Sequence, residues 1–157
     1  MNKLIILIGI PGSGKSTYAK KILEQNPDWK YVSRDEIRYQ YVSDQEHYFD
    51  HEYDVYKEFC NRIDMHLLNG DTVIADATHM NKASRDKLLN SLTAPIDFKV
   101  AVVMTTPFEV CKERNSKREG ITRVPDSEMF KMWHRFYPPN KVNEDFDLIV
   151  RVKGETK

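Results

Sequence analysis

The sequence predicts an α/β fold, a three-layer sandwich with a mainly parallel sheet of about five strands flanked by helices. Three observations carry the prediction. Short runs of β-branched and aliphatic residues recur along the chain, the stretches between them have helical spacing or composition, and tight-hairpin signals are few. The 157 residues are the size of one domain, and 40% hydrophobic with 11% aromatic residues suffices for one packed core. A single domain over residues 1–157 is expected, with no repeat, low-complexity tract or linker to divide it.

The elements follow in order. Leu4 to Ile8 is a continuous apolar run suited to a parallel strand buried on both faces. A helix is expected from Ser16 to Gln25, stopped at Asn26-Pro27 because the residue before a proline avoids helical backbone. Lys30 to Val32 reads as a short strand and Asp35 to Val42 as a helix. From about Asp50 to Leu68, the residues Val55, Phe59, Ile63 and Leu67 mark one helical face, which Asn69-Gly70 stops. Thr72 to Ala75 is another buried strand, ending at Asp76. A helix from Asn81 to Leu92, a strand from Phe98 to Met104 and a helix from Pro107 to Asn115 come next, proline being suited to a first turn. Asp126 to Phe136 reads as the last helix and Phe146 to Val152 as the last strand.

Lys plus Arg number 24 and Asp plus Glu number 24, so no global basic field draws in long nucleic acid. The balance is local. Lys112 to Arg123 holds five basic and two acidic residues, whereas Asp44 to Glu58 holds six acidic residues and only Lys57 basic. That acidic stretch, with Tyr48, Phe49, Tyr53 and Tyr56, reads as a partly buried cap over the acceptor side or as core packing. Cys60 and Cys111 form no C-x-x-C and read as reduced, buried thiols. His47 and His51 have zinc-clamp spacing but lack a third ligand and the Glu of H-E-x-x-H, so a surface role is expected. His79 and His134 show no partner in sequence. Leu4 to Ile10 is too short to span a bilayer and no cleavage site follows, so a cytoplasmic protein without a membrane partner is expected.

The first strand leads into Gly9-Ile10-Pro11-Gly12-Ser13-Gly14-Lys15-Ser16-Thr17, which is G-x-x-x-x-G-K-S between a strand and a helix. Glycines let the backbone turn tightly and aim its N–H groups at phosphates where a side chain would collide. Gly9, Pro11, Gly12, Ser13, Gly14, Lys15, Ser16 and Thr17 are therefore the candidate nucleotide-binding residues. Lys15 would reach the β- and γ-phosphates, the Ser16 hydroxyl suits Mg²⁺, and the helix adds its positive dipole end. The fold class narrows to a P-loop NTPase of the kinase type.

A phosphate cradle serves kinases, GTPases and motors alike. The guanine-reading N-K-x-D is absent, Asn81-Lys82-Ala83-Ser84 lacking its Asp, and the chain is short for a typical AAA-type motor with a small helical domain. An acceptor-activating base is expected at the carboxyl end of a neighbouring strand. Ser33-Arg34-Asp35-Glu36-Ile37-Arg38 has that place. Asp35 would accept the proton of an incoming hydroxyl, and Arg38, three residues on, would hold an anionic group of the acceptor. The alternative is an N-cap at Asp35 and a surface charge at Arg38. Asp76 ends its strand where many P-loop proteins carry an acid near Mg²⁺, with Thr78, Asn81 and Arg85 following toward the same crevice; Asp76 or Thr78 could instead be an N-cap. Residues from about 114 to 124 read as an Arg-rich lid in which Arg114, Arg118 and Arg123 close over the triphosphate, or else as a solvated basic helix end.

These residues resemble the 5′-hydroxyl polynucleotide kinases of the phage type, within the small P-loop kinases. The matching pieces are Gly9 to Thr17, Ser33 to Arg38, Val73-Ile74-Ala75-Asp76, and Arg114-Asn115-Ser116-Lys117-Arg118 leading to Val124-Pro125. The resemblance implies phosphorylation by ATP, with Mg²⁺, of a 5′-OH end of short DNA or RNA, a chemistry of nucleic acid repair. It makes Asp35 the general base, Arg38 the ligand of the acceptor's 3′-phosphate and Arg118 a contact of the ATP phosphates. After Asp76 the chain reads Ala77-Thr78-His79 where the phage-type pattern is Asp-Thr-Asn, displacing the acceptor-contacting threonine by one. Asp145-Phe146-Asp147-Leu148-Ile149 lacks the Gly-Thr of the phosphatase signature D-x-D-G-T, so no phosphatase activity is expected. A kinase for a small hydroxylated metabolite or nucleotide sugar, including toxin-type kinases, and an ATP-binding regulatory protein without an acceptor are the alternatives.

Overall fold

Strand β1 (Lys3–Ile8) occupies the middle of the sheet in the computed structural model, which describes residues 2–154. Residues 1 and 155–157 of the expected domain lie outside the described residues. Leu4, Ile6, Leu7 and Ile8 have no exposed surface, as a run covered on both faces requires. From β1 the chain forms α1 (Lys15–Gln25), edge strand β2 (Lys30–Ser33), α2 (Arg34–Tyr41) and α3 (Glu52–Leu68), then returns as β3 (Val73–Asp76) beside β1. It continues through α4 (Lys82–Ser91) to β4 (Phe98–Met104) on the other side of β1, then α5 (Phe108–Ser116), α6 (Asp126–His134) and edge strand β5 (Leu148–Val152). The order is β2-β3-β1-β4-β5, with every neighbouring pair parallel.

Alternate residues of the strands feed two cores, because side chains along a strand point to opposite faces. Leu4, Ile6, Ile8, Val73, Ala75, Ala101 and Val103 pack with Ile37 of α2, Val55, Phe59, Ile63 and Leu67 of α3, and Leu88 of α4. Ile5, Leu7, Ile74, Val100 and Val102 pack on the opposite face with Ala19 and Ile22 of α1. The expected face of α3 is the buried one. A third cluster of Ile10, Tyr48, Cys111, Val124 and Met129 sits over the carboxyl end of β1, where the helices α5 and α6 meet the loops. No described helix is long and apolar enough to cross a membrane, and both cysteines are free and buried.

Several ends differ from the sequence expectation for local reasons. Pro107 has ψ 147°, outside helical backbone, and caps α5 rather than opening it. Phe146 precedes β5 and contributes its ring to the core. Arg85, expected toward the crevice, is 1% exposed and turned away from it. Its guanidinium makes paired bonds to Glu144 at 2.7 and 2.8 Å and donates to the carbonyls of His79 at 2.7 Å and Tyr137 at 2.9 Å. It ties the turn after β3 to the loop after α6.

Glu144→Ala leaves that buried guanidinium without its counter-charge, and should lower the unfolding free energy by about 3–5 kcal/mol in urea titrations. Breaking the exposed Lys82–Asp86 pair in the same assay should cost only about 0.3–0.5 kcal/mol.

Candidate active site

The loop between β1 and α1 lies where the sheet order reverses, with β3 and β4 on either side of β1, which is the place where such sheets collect ligands. Gly12 and Gly14 adopt φ of 83° and 96°, a left-handed backbone that a Cβ disfavours. A Cβ on Gly12 would also lie 2.5 Å from the Cys111 carbonyl oxygen, so α5 packs directly on the loop. From behind, Thr106 Oγ1 donates to the Ser13 carbonyl at 2.7 Å and accepts the Gly154 N–H at 3.0 Å. Gly9 N–H donates to the Thr78 carbonyl at 3.1 Å, which joins the end of β3 to the loop.

Lys15 Nζ donates to the Gly9 and Ile10 carbonyls at 2.7 and 3.3 Å, so the ammonium sits within the curve of the loop. Arg114 Nη1 donates to the Gly12 carbonyl at 3.1 Å, while its Nη2 and the Ser13 hydroxyl are buried without a partner. Unsatisfied buried donors beside a positive-φ cradle fit the phosphates of a nucleoside triphosphate. At the rim Ser16 Oγ donates to Asp76 Oδ2 at 3.1 Å, and Tyr31 Oη donates to the same oxygen at 2.5 Å. Burial raises the Asp76 pKa, against the opposing Lys15 charge and the Tyr31 hydrogen bond. A hydroxyl paired with a carboxylate is a hard-oxygen set that fits Mg²⁺. No described group of three or more His, Cys, Asp or Glu could hold a metal, so phosphate oxygens and water would complete its shell.

Across from the cradle, Ser33 rather than Asp35 caps α2, accepting the Glu36 N–H at 3.2 Å. Asp35 is thereby released into the first turn, where the helix dipole favours a carboxylate, and its side chain is 48% exposed. Arg38 is no surface charge. It is 5% exposed, bonds to Asp35 Oδ1, and holds Glu52 of α3 with Nε at 2.9 Å and Nη2 at 2.8 Å. Its guanidinium faces the rings of Tyr48 and Phe49. Burial alone would lower its pKa, but the Glu52 hydrogen bond and the neighbouring Tyr48, Asp35 and Glu52 raise it, so it stays a cation. Glu52 also pairs with Arg34 at 3.1 Å.

Both sides open into one cavity of about 230 Å³, lined among others by Lys15, Asp35, Arg38, Thr78, His79 and Lys87. Thr78 thus lines the crevice, and neither it nor Asp76 is an N-cap; that role falls to Asn81, which with Ser84 closes a capping box at the start of α4. His79 has φ 45° and is buried, with Nδ1 2.8 Å from the Leu7 carbonyl. A carbonyl only accepts, so Nδ1 carries the proton and Nε2 is an unpartnered acceptor. Burial first, and then the charges of Arg34, Lys15 and Arg85, push its pKa down to about 4 despite that hydrogen bond.

The segment expected as a free lid is partly built into the fold. Arg114 lies on α5 against the cradle, and Asn115 is wholly buried with its side chain bonded to both the N–H and the carbonyl of Val124. Only the stretch between them, with a short 3₁₀ turn at Gly120–Thr122, projects. Arg118 approaches α2, its charge acting on Tyr39 and on Cys111. Arg123 pairs with Asp126 at 3.6 Å and its carbonyl accepts from Gln45, away from the cradle. His47 bonds to Asp44 on the surface.

Sequence reading missed Arg34, Tyr31, Glu52, His79 and Lys87. Tyr31 carried a signal, since period-two alternation places it on a face with the strand-end acid, whereas Glu52 was one of six acids in the segment from Asp44 to Glu58.

A family model described as an AAA domain matches residues 4–139. Among solved structures, a chain of the Pnkp1/Rnl/Hen1 RNA repair complex is 27% identical with a TM-score of 0.68, covering 85% of this chain and 43% of that one. A fungal RNA kinase is 15% identical with a TM-score of 0.72, covering 99% of this chain and 76% of that one. A gluconokinase from Sinorhizobium meliloti 1021 is 18% identical with a TM-score of 0.63, covering 99% and 85%. The shared fold is that of P-loop kinases.

Two outcomes are expected of the site. Gly154→Ala would place a Cβ 2.3 Å from the Ser13 carbonyl oxygen, and overpacking of about 1–3 kcal/mol should weaken ATP binding by roughly tenfold or more in calorimetric titration. His79 has a folded pKa below its ordinary value, so its stabilising contribution is complete above about pH 6.5 and is lost as pH falls toward about 4. Between about pH 7 and about pH 5 the protein should lose about 2 kcal/mol that His79→Asn does not lose, read from urea midpoints.

Proposed function

Because this chain belongs to the AAA domain family, we propose that it is a phosphotransferase moving the γ-phosphate of ATP to the 5′-OH of a polynucleotide or nucleotide. One observation supports this above the others: Lys15 of the phosphate cradle and the half-exposed Asp35 carboxylate line the same cavity. A regulatory ATP-binding protein has no need of such a base. The 27% identity to a chain of an RNA repair complex supports the nucleic acid acceptor, within a cytoplasmic single domain.

In this reading Lys15, Arg114 and the loop N–H groups hold the triphosphate, and the buried Arg114 Nη2 acquires an oxygen partner. Mg²⁺, held through Ser16 with Asp76 behind it, would neutralise phosphate charge. Asp35 removes the proton from the acceptor hydroxyl, whose oxygen forms the new bond to the γ-phosphorus as the bond to the bridging oxygen breaks and ADP leaves. Arg38 fixes the Asp35 carboxylate in place. Arg118, beside α2 and α5, closes on the phosphates, and Thr78 meets the acceptor. Arg123 has the weakest claim to ATP, being engaged with Asp126.

A small polyol or sugar acceptor is the second reading, favoured by the ion pairs of Arg34 and Arg38 with Glu52 and of Arg38 with Asp35, which engage both guanidiniums within the protein. Labelled ATP presented with 5′-OH oligonucleotides, nucleosides and sugars separates the two. In the preferred assay Asp35→Asn should retain ATP affinity while turnover falls by roughly a hundredfold or more, and near-normal turnover would remove Asp35 as the base.

A further inference from the structure

Tyr31 of β2 stands on the donor side of the site without a part in the reaction. Its ring packs on the face of the sheet that α1 covers, against the cluster containing Leu7, Ala19 and Ile74. From there its hydroxyl reaches Asp76 Oδ2 at 2.5 Å, the oxygen that also takes the Ser16 hydroxyl at 3.1 Å. Across the ladder Tyr31 is paired with Ile74 and Ser33 with Asp76, so the phenol leans two residues along the sheet to make this contact.

A carboxylate only accepts, so both hydroxyl protons point at Asp76. This decides what Ser16 presents. A serine hydroxyl has one proton and two lone pairs, and with the proton committed to Asp76 the lone pairs are left for a cation at the start of α1, where Ser16 is exposed. The arrangement works only while Oδ2 keeps its place. The last torsion of an aspartate side chain is soft, and of the two bonds to Oδ2 one belongs to Ser16, the group being oriented. The remaining restraint is Tyr31, whose ring is anchored in the core.

We infer that Tyr31 is a positioning residue for the cation site: by fixing Asp76 it orients the Ser16 hydroxyl, and so sets how tightly Mg²⁺ is held together with the nucleotide. The inference rests on the ATP and Mg²⁺ part of the proposed function and is independent of the acceptor. Groups that orient a metal ligand from behind are typically worth about ten- to a hundredfold in metal affinity. Tyr31 touches neither the cation nor the phosphates in this role, and acts through Asp76 and Ser16 alone.

The test is calorimetric titration with a non-hydrolysable ATP analogue, once with Mg²⁺ and once with EDTA. By linkage, the gain that Mg²⁺ gives to analogue affinity equals the gain that the analogue gives to Mg²⁺ affinity. The unaltered protein should bind the analogue about tenfold or more tighter with Mg²⁺. Tyr31→Phe keeps the ring and removes only the hydroxyl; it should cut that gain by roughly fivefold or more and keep the affinity in EDTA within about twofold. In turnover assays the same variant should need more Mg²⁺ for half-maximal rate and recover to within about threefold of the unaltered kcat when Mg²⁺ is saturating. The inference is overturned if Tyr31→Phe keeps the Mg²⁺ gain, or if its affinities with Mg²⁺ and with EDTA fall together, since Tyr31 then only braces the cradle. An unaltered protein that gains nothing from Mg²⁺ overturns the metal part of the proposed function and the inference with it, a result set apart by appearing before any substitution.

Discussion

The site depends on one constraint: the central strand is buried on both faces, and its backbone has to pass without a break into a loop that turns its N–H groups inward. Such a loop has no internal ladder to hold it. It is fixed from outside by Thr106 and Gly154 behind Ser13, by the Cys111 carbonyl against Gly12, and by Thr78 against Gly9. Those contacts come from the ends of β3, β4 and β5 and from α5. Because all five strands are parallel, their carboxyl ends lie along one edge, and the same arrangement that braces the loop brings candidate catalytic side chains to it.

The acceptor side is organised by buried charge. Sealing Arg38 under Tyr48 and Phe49 removes its hydration, which is costly unless every donor finds an oxygen. Glu52 supplies two and Asp35 another. The result holds Asp35 by a buried neighbour on one side and leaves it half exposed on the other. The zero net charge of the chain therefore says little about its ligands, because opposite charges are paired with each other inside the site. Under the proposed reading, a few cations in the cavity suit the end of an acceptor and would hold a long duplex poorly.

The sheet, the cradle and the positions of Asp35, Asp76 and Thr78 were legible in the sequence because each is governed by neighbours in the chain. A strand buried on both faces requires a continuous apolar run, and a phosphate loop requires its glycines at fixed spacing. What was not legible depends on distant partners. Arg85 and Glu144 lie 59 positions apart, Arg38 meets Glu52 from another helix, and nothing beside either residue announces the pairing. The anchoring of the expected lid was not legible for the same reason. Asn115 and Val124 are close enough in sequence to suggest a loop, but only the fold shows the amide bonding to both backbone groups of Val124 and closing that loop at its base.

Donor and acceptor halves are joined by the register between β2 and β3. Ser33 is paired with Asp76, so the residue that caps α2 stands beside the acid that bonds to Ser16. Tyr31, two residues earlier on the same face, reaches the same carboxylate. A slip of one residue would turn Tyr31 to the opposite face, leave Asp76 buried with one partner fewer and move the cap that sets Asp35 in its turn. The bond from Tyr31 to Asp76 consequently does more than satisfy a buried carboxylate. It holds the edge strand in the register that keeps Ser33, the cap of the helix carrying Asp35, beside Asp76.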